Sequence, residues 1–165
     1  MYPDLEGKVA VVTGSGRHKG LGEAIARKLA SDGVKLVIHD LGAAKGDLAP
    51  EHGVGASDEM AEVAEGIRAI NPDVTAFQAD MREEAQVEAL IAHAVKTYGK
   101  LDILVNNAGV GYLFGPLVDA TQDMWDTVIN VNLRGGFFAM KHAIRQMQTQ
   151  EIEAGWGRGR VVSVG

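Results

Sequence analysis

The 165-residue chain contains no cysteine, so it has no disulfide, no thiol nucleophile and no thiolate metal site. It has no apolar run near the ~20 residues that span a bilayer, which excludes a membrane helix. An excess of positive charge is also missing. The formal net charge is −6, whereas a nucleic-acid binder needs a basic face for phosphate contacts. The N-terminal Met-Tyr-Pro-Asp-Leu-Glu has no basic region followed by an apolar stretch, so it is not a secretory signal. There is no internal repeat and no low-complexity tail. The five histidines (His18, His39, His52, His93 and His142) show no metal-ligand spacing, and most are expected on the solvated surface. The default expectation is a cytoplasmic globular protein, long enough for one domain with a real core.

What is present is an alternation of short β-branched runs and amphipathic stretches. Lys8–Thr13 is apolar and bounded by glycines, and reads as a buried parallel strand. A helix is predicted from about Leu21 to Asp32-Gly33, where glycine suits a helix stop. Lys35–Asp40 is a second strand. Leu41–Ala56, rich in glycine and alanine, is a long irregular connection of the kind that tends to be functional. Ser57, with Asp58 and Glu59 behind it, starts a helix whose inner face carries Met60, Val63, Ala64, Ile67 and Ile70.

Val74–Ala79 is a third strand. Val87, Leu90, Ile91, Ala94, Val95 and Tyr98 mark a helix closed by Gly99, and Leu101–Val105 is a fourth strand. Thr121 opens a long helical region running to Met147. Gly135-Gly136 inside it implies close packing or a bend, because each interior glycine costs about 1 kcal/mol against alanine. After a turn at Gly155–Arg160, Val161–Val164 begins a fifth strand. Strands alternating with amphipathic helices mean a parallel sheet covered on both faces, hence a doubly wound α/β fold that binds ligands beyond the C-terminal strand ends.

The chemistry-bearing residues cluster at those ends. The first strand stops at Thr13-Gly14 and passes through Ser15-Gly16-Arg17-His18-Lys19-Gly20 into Leu21-Gly22 and a helix. Glycines let the backbone approach an anion, and the first helical turn has unpaired N–H donors for phosphate. A GxGxxG fingerprint would need glycine at position 19, which is lysine. Asp40 closes the second strand and can accept hydrogen bonds from a ribose diol, or simply begin a turn. Like charges ~4 Å apart at an effective dielectric of ~20 repel by about 4 kcal/mol, so Asp40 also opposes a 2′-phosphate. That favours NAD, while Arg17 and Lys19 can offset the repulsion and keep NADP open. Asp80 can receive an adenine amino group or cap the next helix. Asn106-Asn107-Ala108-Gly109 suits close approach to a flat ligand, or ends its strand in a turn. Asn130 and Asn132 are unfavourable inside a helix unless they have a partner or a task.

These residues resemble the short-chain dehydrogenase/reductase family along nearly the whole chain. Thr13-Gly14 through Gly20-Leu21-Gly22 is similar to its TGxxxGxG cofactor motif, with two extra residues that put Arg17-His18-Lys19 at the turn. Asn106-Asn107-Ala108-Gly109 resembles its NNAG motif without departure, and Val131-Asn132-Leu133 resembles the segment carrying its active-site Asn. The resemblance implies a Rossmann-type, three-layer αβα sheet, with about five of the family's seven strands in this chain. It implies hydride transfer between NAD(P) and an alcohol or ketone, a homodimer or homotetramer, and a catalytic role for Asn132. Cofactor contacts are implied for Gly14, Ser15, Gly16, Arg17, Lys19, Gly20, Leu21 and Gly22 in the turn. They are implied also for Asp40 and Leu41, Asp80 and Met81, and Asn106, Ala108 and Gly109. Arg17, His18 and Lys19 are expected to flank the adenosine ribose and phosphates. The long Leu41–Ala56 connection resembles that of dehydrogenase domains in multifunctional fatty-acid β-oxidation proteins, which implies 3-oxoacyl or 3-hydroxyacyl substrates. Val110–Leu117 would form one wall of the substrate site.

One departure stands out. The family's YxxxK pair is absent, because Tyr2, Tyr98 and Tyr112 are followed four residues later by Glu6, Asp102 and Pro116. Arg160–Gly165 resembles the strand leading to the family's catalytic serine, but Ser163 lies two residues too early. The expectation is that residues 1–165 are the cofactor-binding portion of a longer enzyme, inactive alone. The alternative is a non-catalytic nucleotide-binding or scaffold protein on the same half-sheet. A third reading, a Rossmann-like methyltransferase, shares the Gly-rich turn and the acidic strand end but leaves Asn106–Gly109 and Asn132 without a purpose.

Overall fold

Five short β-branched segments line up as one parallel sheet. The structure, a computed structural model, describes residues 2–42, 57–111 and 116–165. Its strands are β1 (Val9–Val12), β2 (Lys35–Asp40), β3 (Val74–Gln78), β4 (Ile103–Asn106) and β5 (Arg160–Ser163), in the spatial order β3-β2-β1-β4-β5. Every pairing is parallel, with Val12 opposite both Ile38 and Val105. The order reverses between β1 and β4, which opens a crevice at their C-terminal ends.

Alternation along the strands builds two cores. Ala10, Val12, Leu36, Ile38, Ile103 and Val105 face α1 (Leu21–Ser31) and α2 (Ser57–Arg68). Val9, Val11, Val37 and Leu104 face α3 (Glu84–Tyr98) and α5 (Gly136–Gln148). Leu36, Ile38 and Leu104 are completely buried, and each such side chain is worth roughly 1.5–3 kcal/mol of burial. The doubly wound, three-layer architecture read from the sequence is the one observed.

Element ends follow the expected punctuation. Gly33 and Gly99 stop α1 and α3 at φ +82° and +84°, and the Thr121 hydroxyl caps α4 (Gln122–Val128) by accepting the Met124 N–H. Ile70 departs from expectation and is exposed. Helix α2 ends at Arg68, so the 3.6-residue stripe no longer applies two residues later. Most of the Leu41–Ala56 connection, His52 and the Ser57 side chain lie outside the described residues, as do residues 112–115 of the expected substrate wall.

The long helical region is three segments in series. Between α4 and α5, Ile129–Gly135 is π-helical. A π turn widens the helix and marks sequence under local constraint. The glycine pair sits there for close packing: a Cβ on Gly135 would lie 2.8 Å from Met81 Cβ and 2.9 Å from the Met81 carbonyl oxygen, and one on Gly136 would lie 2.7 Å from Asn106 Nδ2.

Two effects oppose each other at Gly135. Alanine gains about 1 kcal/mol of helix propensity, but overpacking against backbone typically costs about 1–3 kcal/mol. Gly135→Ala is therefore expected to lower stability by up to about 2 kcal/mol in urea denaturation. A stabilised variant would mean that Met81 yields freely.

Candidate functional site

The turn after β1 is held from both sides by neighbouring strand ends. On the β4 side, the Thr13 hydroxyl oxygen accepts the N–H groups of Asn107 (3.0 Å) and Ala108 (2.9 Å). The Asn107 amide returns two bonds, to the carbonyl oxygens of Thr13 (2.9 Å) and Gly14 (3.0 Å). This approach requires glycine: Gly14 has φ +64°, and a Cβ there would lie 2.7 Å from Ala108 Cα. At Gly22 a Cβ would collide with the Gly14 carbonyl oxygen and lie 2.7 Å from Asn107 Nδ2. Helix α1 thus starts directly behind the turn.

On the β2 side, the Ser15 N–H donates to the His39 carbonyl (2.8 Å), and the Ser15 hydroxyl donates to the Val12 carbonyl (2.7 Å). One Asp40 carboxylate oxygen accepts the Gly16 N–H at 3.0 Å, and the other accepts the Leu41 N–H at 2.9 Å. A Cβ on Gly16 would lie 2.7 Å from Asp40 Cβ. The structure therefore brings Gly14, Ser15, Gly16, Asp40, Leu41 and Ala108 together.

The two extra residues form an exposed turn, closed by the Gly20 N–H on the Arg17 carbonyl (3.3 Å). Lys19 takes the left-handed conformation, φ +59°, and its N–H donates to Glu23 at 2.7 Å. His18 leans onto α2, its N–H donating to Glu59 (2.8 Å) and its imidazole lying 3.2 Å from Glu62. Arg17 and Lys19 are exposed. Gly20 is the N-cap of α1 and gives no side-chain cap, so the first-turn N–H groups receive no side-chain acceptor there. Burial raises the Glu23 pKa, but the Arg27 hydrogen bond, the Lys19 N–H and the charges of Arg27 and His18 together bring it below the ordinary value. The carboxylate in the first turn is thereby neutralised by Arg27, 2.8 Å away.

Farther out, Asp80 is engaged bidentately by the Arg82 guanidinium (3.0 and 2.6 Å), and the N-cap of α3 is Glu83. Asp80 therefore does not cap that helix. Met81 is buried against Gly135 in the core, which leaves its backbone as the part that can face a ligand. Asn106 is buried, and its Oδ1 has no hydrogen-bond partner among the described residues. Asn132 lies in the π-helical segment. Its amide pairs with both sides of the Val110 peptide, accepting the N–H (2.8 Å) and donating to the carbonyl (3.0 Å). Each amide atom keeps one further hydrogen-bonding position, and the residue is exposed.

The histidine expectation is corrected. His39 and His142 are buried, at 1% and 6% exposure, and His93 is half-buried; of the described histidines only His18 is exposed. His142 meets Glu84 across the α3–α5 contact at 3.1 Å. His39 sits in an otherwise apolar strand, and its ring bonds the Gly14 N–H (3.3 Å) and the Ala79 carbonyl (3.0 Å). The sequence carries a signal for this, since a polar residue on a buried strand must find partners. Asn107 enters the sequence reading only within the Asn106–Gly109 segment, and its bonds to the Thr13 and Gly14 carbonyls come from the fold. Among the described residues no group of three or more His, Asp or Glu can hold a metal ion, and no helix is long and apolar enough to cross a membrane.

A parallel sheet in this order, with a glycine turn and an uncapped helix N-terminus at the reversal point and an acid at the next strand end, defines a doubly wound domain of the dinucleotide-binding class. More particularly, the chain belongs to the short chain dehydrogenase family, whose model matches residues 8–165. It is 43% identical over 141 residues to the short chain dehydrogenase/reductase nsrJ of Aspergillus novofumigatus, covering 86% of this chain and 47% of that protein. It is 40% identical over 145 residues to versicolorin reductase 1 of Aspergillus parasiticus, covering 87% and 49%. Among solved structures, carveol dehydrogenase from Mycobacterium avium in complex with NAD superposes with a TM-score of 0.82 at 26% identity, covering 96% of this chain and 54% of that one. The chain spans about half the length of the curated relatives it matches.

The buried imidazoles carry a pH signature. Burial pushes His39 below the ordinary histidine value of 6.5, only partly opposed by the Ala79 carbonyl and the charges of Asp40 and Asp80. His93 is lowered by burial and by Lys96. As pH falls below about 6.5, the unfolded chain binds protons that the folded histidines refuse, so stability drops. Glu23 adds a second loss as pH falls from about 4.5 through its lowered folded pKa. Thermal unfolding should give a Tm that declines from about pH 7 to pH 5.5 and falls further in stronger acid; a flat Tm across the first interval would contradict neutral buried imidazoles.

Proposed function

We propose that residues 1–165 are the cofactor-binding portion of an NAD(P)-dependent oxidoreductase that moves a hydride between a nicotinamide and an alcohol or ketone. The observation that carries the reading is the Gly16 N–H to Asp40 carboxylate bond, 3.0 Å long. It sets the glycine turn after β1 directly beside an acid, at the end of the neighbouring β2, that suits a ribose diol. The residues fit a dinucleotide. The α1 N-terminus lacks a side-chain cap, Gly14 and Gly20 are partly exposed, and among the described residues Asn106 Oδ1 is an acceptor without a partner at the same end of the sheet.

When bound, the nicotinamide supplies or accepts the hydride. This chain's own residues bind and orient. The α1 N-terminus would take the pyrophosphate, Asp40 the adenosine ribose, and Asp80 with the Met81 backbone the adenine. Asn106, Ala108 and Gly109 would hold the nicotinamide end. Asn132 fixes Val110 and would hold a water for the proton relay through its remaining amide positions. General acid/base work falls to Ser, Tyr and Lys of the kind the family carries, which do not occur in YxxxK form in residues 1–165.

NAD is the preferred cofactor because the Asp40 carboxylate repels a 2′-phosphate. Arg17 and Lys19, exposed on the turn, flank the adenosine phosphates. A homodimer or homotetramer in the cytoplasm suits the family. Trp125, Leu133 and Phe137, each more than half exposed, are apolar surface that such an assembly would cover.

Calorimetric titration of the full-length protein tests this. NAD should bind about tenfold or more tightly than NADP, and Asp40→Ala should weaken NAD while narrowing the ratio. Arg17→Ala with Lys19→Ala should weaken both dinucleotides. Binding of neither dinucleotide would remove the reading altogether.

A further inference from the structure

We propose that His39 is a positioning residue for the glycine-rich turn, its imidazole fixing the Gly14 backbone so that Gly14–Gly16 meets the pyrophosphate of a dinucleotide. The proposal rests on the cofactor reading above. His39 is the penultimate residue of β2, and all four of its polar groups are used. Its carbonyl accepts the Ser15 N–H (2.8 Å) and its N–H donates to the Ser15 hydroxyl (3.2 Å). Nδ1 lies 3.3 Å from the Gly14 nitrogen, and Nε2 lies 3.0 Å from the Ala79 carbonyl oxygen. One residue thus joins the turn after β1 to the residue that follows β3, across the width of β2.

The partners dictate the tautomer. A backbone carbonyl only accepts, so Nε2 carries the proton; a backbone N–H only donates, so Nδ1 is bare. Burial favours that neutral form, because a charged ring in this dry position would lose its hydration. An imidazolium would also aim a second N–H at the Gly14 N–H. Few side chains can replace the pair of bonds. Asparagine reaches where Nδ1 reaches and can accept from Gly14. Glutamine reaches where Nε2 reaches and can serve Ala79 only. Leucine fills the space and serves neither.

The effect on a ligand runs through Gly14. Its φ of +64° and its contact with Ala108 already allow only a narrow range of backbone positions. Its N–H bond to His39 fixes the peptide plane from which Ser15 and Gly16 continue to Asp40. Without that bond the Thr13–Gly14 peptide loses one of its restraints while the others hold the turn in place, and binding must then order that peptide.

The test measures NAD affinity of the full-length protein and its His39→Asn, His39→Gln and His39→Leu variants, with histidine ring-nitrogen NMR on the wild type. His39→Asn should bind within about threefold of wild type, and His39→Gln and His39→Leu about tenfold more weakly. The spectrum should show one neutral imidazole protonated on Nε2, coupled through Nδ1 to a glycine amide and absent from His39→Asn. Equal weakening of the Asn and Gln variants would overturn the proposal, as would wild-type affinity in all three or a proton on Nδ1. If the Leu variant fails to fold, the Asn–Gln contrast and the wild-type spectrum still decide. The two readings separate cleanly: wild type binding neither dinucleotide removes the cofactor reading and this one with it, whereas wild type and all variants binding NAD alike removes His39 alone.

Discussion

Everything at the C-terminal edge of the sheet depends on how closely the backbone at Gly14 can approach its neighbours. The Gly14–Ala108 contact, the Gly22 position under the Gly14 carbonyl and the Thr13–Asn107 exchange of hydrogen bonds are one packed unit. A side chain at either glycine would push α1 off the turn and open the space between β1 and β4. Thr13 and Asn107 hold that space shut by hydrogen bonding rather than by bulk. Because the buried hydroxyl of Thr13 takes the Asn107 and Ala108 N–H groups, these two donors beyond β4 are not orphaned.

The fold was legible because it is repetitive. Alternating strands and amphipathic helices leave one architecture open, and each apolar position in Val9–Val12 or Lys35–Ile38 repeats the same instruction. The glycine turn, Asp40 and Asn106–Gly109 stand out in the sequence because they interrupt apolar strands, and the sheet gathers them at one end. The structure added what single residues do to one another across the sheet. His39 looked like an ordinary histidine until β1 and β3 were set beside it. The π-helical segment at Ile129–Gly135 leaves no periodic mark over seven residues, so only its glycine pair betrayed it. Of the two readings of Asp80, the helix cap falls to Glu83, and the pairing of Asp80 with Arg82 depends on a two-residue turn whose geometry composition does not encode.

The lengthened turn raises an electrostatic question that the structure answers locally. A carboxylate, Glu23, sits in the first turn of α1, where an incoming phosphate would meet like charge. Arg27 reaches back one helical turn to it at 2.8 Å, and the Lys19 N–H takes its other oxygen. Arg27 also donates to the Gly66 carbonyl at 2.9 Å, so the ion pair braces α1 against α2 rather than only cancelling charge. The same Glu23 bond holds Lys19 in a left-handed conformation that lysine rarely adopts. His18 secures the other side of the turn to Glu59 and Glu62. The insertion is therefore anchored at three points and leaves Arg17 and the Lys19 side chain facing solvent.

On the proposed reading Asp40 has two duties, and a carboxylate has room for both. An ionised carboxylate offers about four lone-pair positions. The Gly16 and Leu41 N–H groups occupy one on each oxygen. One position per oxygen is left, the number a vicinal diol needs. The backbone bonds also fix the carboxylate's orientation before any ligand arrives, so a diol would meet acceptors already in place instead of paying to immobilise a free side chain. A 2′-phosphate would meet the same fixed charge with no rotamer through which the side chain could withdraw. The bond that joins Gly16 to Asp40 thus shapes the turn and, on the proposed reading, also discriminates between cofactors.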